Sequence, residues 1–124
     1  PDKFWVLQRY IEGIEHGETR TIIAGGEIIG SYLRKPEDAF RANVARGGQI
    51  SQVDLSERDR LVVEQIIPRL AEKNIGFAAV DTCAGFLIEV NIVNPGGLSS
   101  LEAVYSEDFS KKTALAIINA KKIS

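Results

Sequence analysis

The sequence has no methionine, and only one cysteine (Cys83), one histidine (His16) and one tryptophan (Trp5) among 124 residues. Each shortage removes a class of function. A lone cysteine excludes an internal disulfide and fits a reducing compartment, which makes the cytoplasm the expected location. A lone histidine in a Glu15-His16-Gly17 turn, with no second histidine or cysteine nearby, argues against a zinc centre or a histidine-assisted nucleophile. No apolar run reaches the roughly 18 residues needed to cross a bilayer. Neither sign of charge dominates: 15 Lys and Arg against 17 Asp and Glu leave a formal net charge of -2. Neither nucleic acid nor an anionic membrane is therefore expected as the main partner. With no methionine and no signal peptide, Pro1 does not read as a translation start, and the chain is expected to be a segment of a longer one. What remains, 44% apolar and 26% charged residues without repeats or low-complexity stretches, describes one compact unit.

The first third reads as strands. Phe4 to Ile11, Glu18 to Ala24 and Glu27 to Leu33 are rich in aromatic and β-branched residues, and Gly25-Gly26 supplies the positive φ of a two-residue hairpin turn. Between Pro36 and Val53 the apolar period disappears, marking a long loop that carries Arg41 and Arg46. Ser56 and Asp59 resemble a capping box opening a helix over 56–73, with Val62, Val63, Ile66, Ile67 and Leu70 at helical spacing. Asn74 suits a left-handed cap, and Pro68 inside the helix is expected to kink it. A hairpin over 77–93 turns around Ala84-Gly85, and a closing helix follows over 107–121. The expected fold class is α+β, an antiparallel sheet covered on one face by two helices.

The second hairpin carries the chemistry. Alternation along Phe86 to Val93 puts Glu89 and Asn91 on one face, roughly 7 Å apart. Whether Asp81 joins them depends on the turn. A two-residue loop opposes Asp81 to Ile88 and turns it away; a three-residue loop, Ala84-Gly85-Phe86, sets it directly across from Glu89. In the second case two carboxylates and a carboxamide converge, an oxygen-only set that suits a hard ion such as Mg2+. Solvated acids on an open sheet face are the ordinary alternative, and spacing alone leaves both open.

Several motifs occur in an order that resembles the bacterial glutathione synthetase family of ATP-grasp enzymes over nearly the whole chain. They are Leu7 to Ile11 (LQRYI), Gly17 to Arg20 (GETR), Gly26-Glu27, Arg34 to Pro36 (R-x-P), Arg41 to Gly48 (R-x-N-x-x-x-G-G), Leu55 to Asp59 (LSERD), Val80-Asp81 and Ile88 to Asn91 (IEVN). The resemblance implies the C-terminal part of an ATP-grasp domain in an ATP-dependent carboxylate-amine ligase that forms an amide through an acyl phosphate. It makes Asp81, Glu89 and Asn91 the Mg2+ ligands and Arg20 a residue that faces the phosphates. Arg34 matches a second basic position, with Lys35 as its alternative. Gln8, Arg9, Tyr10 and Ile11 match the hinge strand, placed at 4–11, whose backbone meets the adenine of ATP; Phe4 and Trp5 beside it read as packing residues. Arg41, Asn43, Gly47 and Gly48 match a loop, placed at 36–53, that covers the site and shields the acyl phosphate from water.

The resemblance weakens past Asn91, where the family has a serine-proline-threonine-cysteine segment holding the peptide substrate. This chain has Asn94-Pro95-Gly96-Gly97. The backbone at Asn94, Gly96 and Gly97 could bind a substrate carboxylate or simply turn the chain. Gln49 stands where the loop pattern has a second arginine. The family's phosphate-binding lysines precede the hinge, so the expected partners are the N-terminal part of the same protein and small acid and amine substrates. Alone, the segment is expected to hold half a site and to lack activity. An open sheet edge would also allow pairing with a second copy. The alternative is a non-catalytic ATP-grasp-like module that acts through protein contact.

Overall fold

A computed structural model describes residue 13 and residues 16–35, 49–92 and 97–123. Among the described residues eight elements follow one another: β1 (Glu18–Ala24), β2 (Glu27–Lys35), β3 (Gln49–Gln52), α1 (Glu57–Glu72), β4 (Phe77–Cys83), β5 (Phe86–Asn91), α2 (Leu98–Tyr105) and α3 (Ser110–Ile123). The five strands form one sheet in the order β3-β2-β1-β4-β5, antiparallel at every pairing. The class is α+β.

The helices lie on both faces of this sheet, not on one. Ile22, Ala24, Ile29, Tyr32 and Ala79 pack with Leu101 of α2 and with Phe109 and Ala116 of the α3 side. Ile23, Ala78 and Val80, which alternate with them, pack with Val63 and Leu70 of α1. A strand buried on both faces shows an unbroken apolar or small-residue run in place of alternation. Thr21-Ile22-Ile23-Ala24 and Ala78-Ala79-Val80 are such runs, buried throughout. The third helix is α2, eight residues long, where a turn alone was expected. Its N-cap is Gly97 at φ 95°, whose carbonyl accepts from the Leu101 N-H at 2.9 Å. The segment expected as loop over 36–53 is also shortened, because Gln49–Gln52 pairs with Tyr32 to Lys35 as β3.

Local chemistry accounts for the helix ends. Ser56 Oγ accepts from the Asp59 N-H at 3.1 Å, and Asn74 at φ 56° closes α1. There the Asn74 N-H reaches the Ala71 carbonyl at 3.1 Å and the Ile75 N-H reaches Leu70 at 2.9 Å, the paired bonds of a Schellman motif. The helix runs unbroken through Pro68, which is exposed. Water can meet the carbonyl one turn earlier that the missing N-H leaves free. Tyr105 ties α2 to the sheet, its hydroxyl bonding the Ser31 carbonyl at 2.7 Å and the Val53 backbone. Gly25, at φ 56°, lets α3 approach β1 closely, since a Cβ there would collide with the Ala116 carbonyl.

Candidate functional site

One face of the sheet changes character along its length. Where α2 and α3 cover it, the side chains are Ile22, Ala24 and Ala79. Toward the other end the same face becomes charged. Reading across the sheet, Tyr32 of β2 pairs with Arg20 of β1, Arg20 with Asp81 of β4, and Asp81 with Glu89 of β5. One step further out Arg34 pairs with Glu18, and on the inner side Asn91 pairs with Ala79. The period-2 geometry of strands then puts Arg20, Arg34, Glu18, Asp81, Glu89 and Asn91 on one surface. Lys35, the other candidate for the second basic position, is one residue out of phase with Arg34 and is exposed.

Asp81 reaches Glu89 by a route that neither turn anticipated. The loop is the two-residue Ala84-Gly85, both at positive φ (51° and 82°), with Cys83 paired to Phe86 and Thr82 to Leu87. Continued unchanged, that register would oppose Asp81 to Ile88. A bulge between Asp81 and Thr82 shifts the pairing by one, and Asp81 faces Glu89. The hairpin tip is held to α1, because the Gly85 N-H donates to Asp59 Oδ1 at 2.8 Å. Asp59 is buried, so this bond fixes the tip from within.

Electrostatics at the centre of the row are dominated by one pair. Arg20 donates through Nε to Asp81 Oδ1 at 2.8 Å and through Nη2 to Oδ2 at 2.9 Å, a two-pronged contact. Only 13% of the Arg20 side chain and 2% of the Asp81 side chain are exposed. The hydrogen bonds to Asp81 hold the guanidinium more firmly protonated than usual, against the opposing effect of burial. Glu18 lies 3.8 Å from Arg34. Burial pushes its carboxyl above the ordinary range and Asp81 adds to this, while Arg34 and Arg20 pull the other way. Among the described residues of this row, the guanidiniums of Arg20 and Arg34 face the carboxylates of Glu18, Asp81 and Glu89, an excess of acid by one.

The donor set fits a hard divalent cation. Asp81, Glu89 and Asn91 offer oxygen only, the chemistry Mg2+ prefers. Among the described residues no three His, Cys, Asp or Glu side chains gather around one point. A cation held here would draw on two carboxylates and a carboxamide, with other oxygens completing its shell. Glu18 is the site residue that sequence reasoning missed, although it lies within the GETR motif and shares the strand phase of Arg20. Of the other expected site residues, Gln8, Arg9, Tyr10 and Ile11, Arg41, Asn43, Gly47 and Gly48, and Asn94 and Gly96 lie outside the described residues. Gly97 caps α2, and a Cβ there would lie 2.7 Å from Ile22 Cδ1.

The five-stranded antiparallel sheet and three helices of the described residues are consistent with an α+β ATP-grasp subdomain. The profile of the prokaryotic glutathione synthetase ATP-grasp domain matches residues 1–106, and the chain belongs to that family. It is 34% identical over 119 residues to a glutathione synthetase of Rhodopseudomonas palustris, covering 95% of this chain and 38% of that protein. A glutathione synthetase of Neisseria meningitidis is 40% identical over 98 residues, covering 77% of this chain and 31% of that protein. The chain thus spans about a third of the length of the curated relatives it matches.

Proposed function

We propose that this chain is the C-terminal part of an ATP-dependent carboxylate-amine ligase, and that its charged row is one wall of the nucleotide and acyl-phosphate site. The observation that supports this most directly is the convergence of Arg20, Asp81 and Glu89 in one cross-strand row, with Asn91 on the same face. In this reading Asp81, Glu89 and Asn91 hold the Mg2+ of ATP. Bound there, the ion neutralises charge on the transferring phosphoryl group. Arg20 and Arg34 orient the phosphates and the substrate carboxylate, whose oxygen attacks the γ-phosphorus of ATP and expels ADP to give an acyl phosphate; the amine nitrogen then attacks the acyl carbon, loses a proton and expels inorganic phosphate to form the amide. Arg41, Asn43, Gly47 and Gly48 close over the site and keep water from the acyl phosphate. Asn94, Gly96 and Gly97 meet the substrate. Gln8, Arg9, Tyr10 and Ile11 contact adenine, and the preceding part of the same protein supplies the opposing wall. The cytoplasm, where ATP is abundant, is the compartment this activity needs.

The test is ADP release by the intact protein with Mg2+, ATP, a γ-glutamyl dipeptide and glycine, the acid and amine that a glutathione-forming enzyme joins. We expect release that requires both substrates, and a loss of about a hundredfold or more in kcat for the Glu89→Ala, Asn91→Ala double variant. Release unchanged in that variant would remove the metal-holding role. Absence of any turnover or ATP binding would favour a non-catalytic module.

A further inference from the structure

Asp81 is the innermost acid of the row, and each of its oxygens already accepts a hydrogen bond. Arg20 holds Oδ1 and Oδ2 together at 2.8 and 2.9 Å. The residue as a whole is 1% exposed. Its remaining lone pairs therefore do not look out to solvent. A divalent cation needs a lone pair on one of these oxygens, and a guanidinium left in place would stand beside it as a second positive charge. On the other side Glu89 is exposed and directly across the strand pair. Arg20, unlike Asp81, retains some contact with solvent and ends in a long side chain that can swing.

From this geometry we infer that Arg20 and a divalent cation compete for Asp81, so that metal binding at the row expels the guanidinium and frees it for an anion. The inference rests on the metal role given to Asp81, Glu89 and Asn91 above and adds its regulation: Arg20 keeps the acid neutralised until a cation takes over. It couples the two ligands. A cation arriving with a polyphosphate brings the anion that the released guanidinium can meet, whereas a bare cation must displace Arg20 with nothing to receive it. Metal alone should therefore bind weakly, and metal with a polyphosphate more tightly than either alone.

Two measurements on the intact protein test this, both with Mg2+ or Mn2+ alone as the probe. In Arg20→Gln the competitor is gone, and Mn2+ followed by electron paramagnetic resonance should bind about tenfold more tightly than in the wild type. Arg20→Lys keeps the charge but loses the fork, and should tighten binding by a smaller factor. Equal or weaker binding in the variants would overturn competition and make Arg20 a residue that merely positions Asp81. The second measurement needs no variant. On titrating the wild type with Mg2+, the NMR signal of the Arg20 Nε-H should move together with the Asn91 side-chain amide signal. Movement of Asn91 with Arg20 unmoved would sink the competition while leaving the metal site intact. If neither moves at millimolar Mg2+, the metal reading itself falls, and competition with it.

Discussion

Arg20 and Asp81 show how much one cross-strand contact can decide. A pair this buried contributes little net stability, because desolvating two charges offsets most of their attraction, but removing one partner strands the other. The motif GETR and the dipeptide Val80-Asp81 announce both residues in the sequence, and alternation gives each a face. That the two faces coincide, and that the arginine grips the acid with both prongs, depends on the β1 and β4 register, which is a tertiary fact. Glu18 carries the testable electrostatic consequence. Its folded-state pKa lies above the value in an unfolded chain, so the folded state prefers the protonated acid. This contribution favours folding below the ordinary carboxylate range and is lost as pH rises through the raised value. Glu18→Gln, which cannot ionise, should match the wild type in acid and become the more stable of the two toward neutral pH. Urea unfolding of both proteins between pH 4 and 7 checks it; a difference that stays constant with pH would contradict the assignment.

Among the elements, the second hairpin is both the most informative and the least legible. Its strands, its turn at Ala84-Gly85 and the shared face of Glu89 and Asn91 follow from β-branched runs, a glycine and a period of two. The bulge opposite Asp81 does not, because no residue type near Leu87 and Ile88 demands one; it arises where the tip, held by Asp59, and the core, held by Val80 and Val90, must both be satisfied. Parity argued from loop length alone leaves two turns open; the observed loop is the two-residue one, and the bulge supplies the opposition that loop length ties to the three-residue one. The run Thr21 to Ala24 carries a sign of cover on both faces in its sequence, since small and apolar residues follow one another there without polar alternation. Helix α2 was hidden by Gly97, a residue that normally ends structure and here begins it in the left-handed region. The hairpin turn itself has room for improvement. Both of its residues have positive φ, the pattern of a type I′ turn, yet the first is Ala84. Alanine is strained there, and asparagine is well suited to it. Ala84→Asn should raise stability by about 0.5 to 1 kcal/mol without altering ligand binding. A denaturant midpoint that falls instead would mean the side chain of residue 84 makes a contact worth more than the strain.

Across the whole molecule the sheet is a shared plate, stabilised at one end and chemically armed at the other. Among the described residues three helices cover its apolar part, α1 on one face and α2 and α3 on the other, while the row of charges lies toward the other end of the second face. Five residue steps, roughly 17 Å of extended chain, separate Gly25 at the packed end from Arg20 in the charged row. The two ends should then be separable by mutation. Gly25 has φ 56° and no space for a Cβ against the Ala116 carbonyl, so Gly25→Ala must push α3 outward or distort the turn. A loss of about 2 kcal/mol or more in unfolding free energy is expected. Below its own melting transition the variant should still show the wild-type Arg20 Nε-H signal, because Ile23, Ala78 and Val80, packed against α1 on the opposite face, continue to hold the β1 to β4 pairing of Arg20 with Asp81 when α3 is displaced. A shifted Arg20 signal in a folded Gly25→Ala protein would show that the helix on this face holds the charged row in register, and that scaffold and site are one cooperative unit.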